Sequence, residues 1–177
     1  MTRDIDRAYT AMLVLLAQHG ERDALERLAA RWRPRHYAHA RRLLGRSDGA
    51  SDAVQDAWAS ILRGLGRLRE ADRFPAWSYA IVTRRCHDVM RRKGREPVLD
   101  PDFDPPDPGA EGGEQAAELR RAMAALPPDQ RAAIALFYIE GFSIGEIAEA
   151  VRIPEGTVKT RLFHARRALR RQLEGDA

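Results

Sequence analysis

Apolar positions along this chain recur at helical spacing and nowhere alternate as a strand would, so the pattern predicts an all-α protein without repeats. Asp23 with Glu26 predicts a capped helix start ahead of a stripe of Leu25, Leu28, Ala29 and Trp32, and Pro34 predicts a fresh helix ending at Leu44 and Gly45. Ser51 or Asp52 is expected to cap the best-patterned helix, in which Val54, Ala57, Trp58, Ile61, Leu62 and Leu65 share one face. After a polar loop from Gly66 to Arg73, a long helix is expected from Phe74 to about Lys93. Trp77, Ile81 and Val89 read as its core, and Arg84, Arg85, Arg91, Arg92 and Lys93 make its later turns basic. Two more helices are expected, Glu114 to Ala125 and Pro128 to Glu140, the second ended by Gly141.

The stretch from Ser143 to Leu173 carries the most information. Ser143 and Glu146 form an S-x-x-E capping box, and Ile144, Ile147, Ala148 and Val151 follow at the spacing of one buried stripe. Pro154 then opens a second helix in which Val158, Leu162, Ala165, Leu169 and Leu173 share one face. Lys159, Thr160, Phe163, His164, Arg167, Arg170 and Arg171 spread over the other face. Two short helices joined tightly, the second apolar on one side and basic on the other, are what a helix-turn-helix uses to read DNA. A solvated charged face is the plain alternative, but the arginines meet no acid before Glu174, so i, i+4 ion pairs do not account for them. Phe163 also stands about a third of a turn from the apolar centre, where an uncovered ring is costly. DNA covers such a face well: Arg and Lys neutralise phosphates or read guanine edges, Thr bonds several bases, and a ring touches a thymine methyl.

Charge and composition narrow the classes. A formal charge of +4 with a sequence pI near 9.7 fits an anionic partner. Arginine supplies nearly all of the basic residues, a bias that a GC-rich coding sequence also produces. The strongly apolar run Ala11 to Ala17 is too short to span a bilayer, so a cytoplasmic location is expected. Cys86, the single cysteine, has no internal disulfide partner and reads as a small buried hydrophobe. The segment from Arg95 to Gln115 holds five prolines and seven acids and, after Arg95, no base, so it reads as a linker. Its acids read equally as a solvated tether or as an anionic mimic lying in a basic channel. Roughly 20 residues reach on the order of 65 Å when extended, close to two turns of duplex.

Four motifs in order resemble the bacterial extracytoplasmic-function sigma factors of the sigma-70 family: SDAVQDAW from Ser51 to Trp58, FPAW from Phe74 to Trp77, Cys86-His87-Asp88 ahead of Arg91, Arg92 and Lys93, and LPP from Leu126 followed by GTVKTR from Gly156. The resemblance covers about residues 8 to 174. It implies a region 2-like domain over 1–94, an acidic linker over 95–115 and a region 4-like domain over 116–177. Such a protein binds core RNA polymerase, through the clamp helices of the largest subunit and the flap of the second-largest, opens the −10 element with its first domain and reads the −35 element with its second. By position, Asp52, Gln55 and Asp56 resemble the clamp-binding surface, with Trp58 as core. The loop from Arg67 to Arg73 resembles the holder of an extruded non-template base, with Arg69 and Arg73 as its cations, while Arg84, Arg85, Arg91 and Arg92 resemble the side that follows upstream phosphates. Phe74 and Trp77 sit where a melting aromatic would act, and at helical spacing read better as core. Lys159, Thr160, Phe163 and His164 match base-reading positions, and Arg161 and Arg167 match phosphate contacts.

Three departures from that family's pattern matter. Gly49-Ala50-Ser51 replaces an acidic run and leaves only Asp52, which makes Ser51 a candidate for phosphorylation, a charge added at a helix N-terminus. Arg84 stands where asparagine is usual, and Arg152 replaces a frequent glycine in the helix-turn-helix turn, at a cost of about 1 kcal/mol if its φ is positive. An enzyme reading finds no phosphate-cradling loop, nucleophile elbow, cofactor motif or metal-spaced cluster. His36 and His39, at i, i+3, read as a solvated pair far more readily than as metal ligands. The remaining rival is a sigma-like decoy that occupies an anti-sigma factor without initiating transcription.

Overall fold

In the computed structural model, residues 2–45, 47–93 and 113–174 are described; they form helices and turns, and contain no strand. The acids expected as a linker at 96–111 lie outside the described residues, whereas residues 113–115 already belong to a helix. Four helices precede the gap: α1 (Thr2–Gln18), α2 (Arg22–Leu44), α3 (Ser47–Leu65) and α4 (Phe74–Lys93), the last entered through a 3-10 turn at Ala71–Arg73. Four follow it: α5 (Gly113–Ala124), α6 (Pro128–Ile134), α7 (Ile144–Val151) and α8 (Glu155–Glu174).

Pro34 does not open a new helix; it sits exposed inside the continuous α2. Leu28, Trp32, His36, His39 and Leu43 stay in helical phase across it and all are buried, so packing on both sides offsets the one backbone bond the proline removes. Asp23 is not the cap either. Glu21 holds that position in extended conformation without a side-chain cap, and Glu26 pairs with Arg22. Gly45 ends α2 in the left-handed conformation, as expected, with φ 66° and its N–H on Arg41 O. Helix α3 begins a turn earlier than Ser51, which buries Gly49 and Ala50 with Ala53, Val54, Ala57 and Trp58. Ser51 is therefore an exposed residue of the second turn and caps nothing, and Leu62, expected in the core, is 46% exposed. The helix expected from Pro128 to Glu140 widens at Ala135 into a π-helical turn that runs to Ile139, with the Glu140 N–H on Ala135 O.

A directional hydrogen-bond chain locks α2, α3 and α4 together. The Trp58 indole, which can only donate, gives its proton to His36 Nδ1 at 3.1 Å; His36 Nε2 therefore carries hydrogen and meets Ser78 Oγ at 3.0 Å, and Ser78 Oγ donates to Pro75 O at 3.0 Å. His39 Nε2 lies 2.9 Å from Thr83 Oγ1. Tyr79 packs edge-on against both rings, with centroids 5.0 Å away in each case. The two histidines are thus buried structural groups and not a solvated pair. Burial and the nearby Arg35 push His36 down to about 3, and burial with Arg42 and the neighbouring histidines lowers His39.

The second half packs against the first. Arg131 of α6, 1% exposed, donates to Leu43 O at the end of α2 and to Leu126 O, both at 2.8 Å, and also to Ala124 O. One guanidinium satisfies carbonyls that two helix ends leave open, and burial lowers its pKa to about 10. Glu140 accepts from Tyr79 Oη at 2.5 Å and from Arg42 at 3.0 Å, and burial raises its pKa against the opposing pull of those two donors. Phe142 completes the seam against Tyr79, with centroids 5.4 Å apart.

Both histidine pKa values lie lower in the folded chain than the ordinary value near 6.5, so unfolded chains bind protons that folded ones refuse. Stability is full above about pH 6.5 and falls below it, by up to about 1.4 kcal/mol per pH unit for each ring. Urea midpoints at stepped pH, with imidazole NMR of His36 and His39, check this; a His36 ring titrating near its ordinary value in the native state contradicts it. Replacing Arg131→Met keeps the side-chain stem but orphans three carbonyls, and is expected to cost about 3 kcal/mol in the same assay. A loss under about 1 kcal/mol would mean that water substitutes for the guanidinium.

Candidate nucleic-acid interface

Helix α7 starts with the expected capping box: Ser143 Oγ accepts from the Glu146 N–H at 3.2 Å, and the Glu146 carboxylate accepts from the Ser143 N–H at 2.8 Å. It buries Ile147 and Ala148 and turns at Arg152, whose φ of 56° and ψ of 49° place it in the left-handed region. The Arg152 N–H returns to Ala148 O and Glu149 O, so an arginine performs the C-capping role that glycine fills most cheaply. Pro154 then precedes α8, which buries Val158, Leu162 and Ala165. Leu169 is half-buried and Leu173 exposed, so the apolar stripe fades toward the end of the helix.

The opposite face of α8 stands open. Lys159, Thr160, Phe163, His164 and Arg167 are all exposed, about two and a half turns of helix presenting three cationic or hydrogen-bonding side chains and a ring pair, Phe163 edge-on to His164 with centroids at 5.5 Å. Thr160 Oγ1 donates to Gly156 O at 2.9 Å, which leaves its lone pairs outward. Arg161 differs from the rest: half-buried, it donates to Asp129 at 2.6 Å, with His87 of α4 3.8 Å from the same carboxylate. Phe163 is 55% exposed and forms one wall of an apolar groove of about 810 Å³ with Leu119, Met123, Tyr138 and Ile139, rimmed by Arg166, Arg167 and Arg170.

In the first half, Asp52, Gln55 and Asp56 lie exposed along one side of α3, opposite buried Ala53, Val54, Ala57 and Trp58. Exposed Ser51 adjoins them. Arg69 is exposed in the loop ahead of α4, and Arg84 and Arg92 are exposed along α4. Arg85 donates to Ser60 Oγ at 2.9 Å and Arg91 bonds Asp88. Phe74 is fully buried and Trp77 half-buried, so the first is core and the second edges a cavity. That cavity, about 1070 Å³, gathers Arg73, Arg84, Arg85, Arg152 and Arg7, the last a residue sequence reasoning passed over. Nothing in the pattern of α1 marks Arg7; only the packing of α7 toward α4 brings it in. Cys86 is fully buried and its thiol is pushed up to about 12 by burial, as fits an inert core residue. Among the described residues no group of three His, Cys, Asp or Glu side chains is placed to hold a metal ion, and no helix is long and apolar enough to cross a membrane.

Replacing Arg152→Gly removes the left-handed penalty while keeping the backbone cap, and is expected to raise stability by about 0.5–1 kcal/mol in thermal or urea unfolding. A destabilising result would show that the arginine side chain holds the turn more than its backbone strains it.

Residues 28–96 match the family description Sigma-70 region 2 and residues 116–169 match Sigma-70, region 4. Two proteins of Mycobacterium tuberculosis and Escherichia coli K12 illustrate the likeness. The ECF RNA polymerase sigma factor SigM of the former is 36% identical over 163 residues, spanning 90% of this chain and 83% of its own length. The ECF RNA polymerase sigma-E factor of the latter is 29% identical over 177 residues, spanning 89% and 91%. Among solved structures, the sigma factor RpoE of Bartonella quintana, in complex with the anti-sigma factor NepR, superposes with TM-score 0.70 at 27% identity, over 86% of this chain and 98% of that one. CnrH, in complex with the cytosolic domain of CnrY, shares the fold with TM-score 0.70 at 24% identity, over 96% and 99%. With both regions in order on one helical scaffold and the second carrying an open, basic helix, this chain belongs to the extracytoplasmic-function branch of the sigma-70 family.

Proposed function

We infer that the chain is a transcription initiation factor that binds core RNA polymerase and directs it to particular promoters. The observation that carries this reading is the occurrence of both sigma regions, in order, in one chain whose α8 turns its polar face outward. In the finer reading, the 1–94 domain opens the −10 element and the 116–177 domain reads the −35 element, joined by the acidic segment 95–115, and the protein works in the cytoplasm without chemistry of its own. The exposed side of α3 with Asp52, Gln55 and Asp56 meets the clamp helices, and the apolar groove beside Phe163 suits a helix of the flap. The relative solved with the anti-sigma factor NepR supports a regulator of that kind for this chain as well.

Base reading falls to Lys159, Thr160, Phe163 and His164. Arg167 reaches phosphates, and Arg161, tied to Asp129, orients the helix as much as it contacts DNA. On the −10 side, Arg69, Arg73, Arg84, Arg85, Arg91 and Arg92 follow the strand. Reconstitution with core polymerase on genomic promoter fragments, with start sites mapped, tests the whole; a chain that binds core but directs no start site is a decoy, and one that binds neither core nor DNA is not a sigma factor in practice.

Lys159→Ala and His164→Ala are expected to cost about 1–3 kcal/mol on the preferred −35 sequence and to flatten discrimination among sequences. Arg167→Ala should weaken all sequences alike and lower the salt slope by about one. Equal losses on matched and scrambled sites for all three would reduce α8 to a phosphate grip. Ser51 lies beyond the first turn of α3, where the helix dipole no longer favours an anion, so a phosphate there would act through its charge beside Asp52, Gln55 and Asp56. Ser51→Glu is expected to tighten core binding at low salt and lose its advantage as salt rises; unchanged affinity at low salt removes Ser51 from regulation.

A further inference from the structure

Helix α1 is apolar on more sides than the rest of the chain covers. From Ala8 to Ala17 it reads AYTAMLVLLA, without a charge. Leu13 and Val14 are buried against the first domain, and buried Thr10 is bonded back to Asp6 O at 2.9 Å. The other side stands open: Ile5 is 65% exposed, Tyr9, Met12, Leu15 and Leu16 are each 37% exposed or more, and Ala8 and His19 are exposed among them. Ile5, Ala8, Met12, Leu15 and His19 follow one another at alternating steps of three and four, so they form one row at the spacing by which paired helices interdigitate, flanked by Tyr9 and Leu16. The charged residues nearest the row are turned to the chain itself, Asp6 to Arg31 and Arg35, and Arg7 to Glu146. A helix that is apolar all round is ordinarily covered all round.

We propose that this face of α1 pairs with the same face of a second copy of the chain, the two helices running antiparallel about a two-fold axis. Three features select that occupant. The row is complementary to itself: an antiparallel copy sets Ile5 against Leu15 of its partner and Ala8 against Met12, so a small side chain meets a long one on both sides of the axis. Charge sets the direction. Antiparallel helices bring Asp4 of each copy within about one turn of His19 of the other, whereas parallel ones would put Asp4 on Asp4 and His19 on His19. His19 is turned for this contact, because its Nδ1 donates to Leu15 O at 2.8 Å and leaves Nε2 for a partner. Area sets the strength. The five large side chains together expose on the order of 450 Å², within the range of apolar patches that mark an interaction surface, and two copies hide about twice that, so the pair is weak and concentration-dependent. The pairing uses neither the groove beside Phe163 nor the Asp52, Gln55 and Asp56 side of α3.

Sedimentation velocity of the full chain from about 1 to about 200 µM reads the equilibrium, and the mass is expected to rise from 19.9 kDa toward twice that value across the range. Met12→Glu/Leu15→Glu, and separately Ala8→Glu, change exposed residues, and thermal unfolding confirms that the variants fold; each is expected to weaken association by about tenfold or more. Phe163→Glu, on the other apolar surface, should leave association unchanged. Mixing Ile5→Cys chains with tagged Leu15→Cys chains under mild oxidation reads the register, since Cys86 is buried. The mixed crosslink should exceed the self-crosslink of either variant by about fivefold. A monomer at every concentration overturns the proposal, and if Met12→Glu/Leu15→Glu then also weakens binding to core polymerase, the face belongs to polymerase instead. Association abolished by Phe163→Glu and untouched by Met12→Glu/Leu15→Glu places self-association in the groove and overturns it as well. Ile5→Cys chains that crosslink to one another in preference to Leu15→Cys chains overturn the antiparallel pairing.

Discussion

The exposed sides of α3 and α4 are placed by the buried chain from the Trp58 indole through His36 to Ser78 and the Pro75 carbonyl. Each link has only one workable direction, because the indole cannot accept and a neutral imidazole has one donor and one acceptor. The chain therefore fixes the rotation of α3 and α4 against α2 as well as their separation. With Trp58 held inward, Asp52, Gln55 and Asp56 must face out; with Ser78 and Thr83 held inward, Arg84 and the arginine turns of α4 must face out on the other side. A slip by one residue would bury charge, which the core does not tolerate unpaired.

The seam between the halves is built differently. It carries some apolar contact, Tyr79 against Phe142, but its distinctive members are polar: Arg131 on helix-end carbonyls, Glu140 between Tyr79 and Arg42, Arg7 with Glu146 and Arg73 with Glu149. The exposed pairs contribute little, and the buried ones largely offset their own desolvation. Arg131 is the exception, since it serves α5 and α6 of its own domain through Ala124 O and Leu126 O and reaches the first half through a single bond to Leu43 O. These polar contacts lie beside an apolar core that runs as one cluster through both halves, from Leu13 and Trp58 to Phe142 and Val158.

What the sequence revealed depended on whether the deciding contact was local. The capping box at Ser143 and Glu146, the glycine end of α2 and the two faces of α8 were all legible, because a cap or a stripe within one helix decides them. Pro34 misled because a proline signal is local while its remedy, a stripe in phase from Leu28 to Leu43, is tertiary; that phase was present in the sequence and outweighed the break. Ser51 misled for a similar reason: a good cap residue lost to the burial of Ala50, which pulled the helix start upstream. His36 and His39 looked solvated because their partners, Ser78 and Thr83, lie on a helix some forty residues away. The site behaved alike. The exposed row of α8 was readable from periodicity, whereas the pairing of Arg161 with Asp129 and the arrival of Arg7 in the cavity needed the fold.

The two faces that the proposed function assigns to the first half differ in access. In the closed chain the α3 side with Asp52, Gln55 and Asp56 is open, while Arg7 and Arg73 beside α4 are held by α7. A partner that recognises the α3 side can therefore dock without disturbing the seam, but a strand that needs Arg73 cannot. If polymerase also takes up the apolar groove beside Phe163, it holds both domains by surfaces remote from the seam and can draw α7 off α4 using binding energy gained elsewhere.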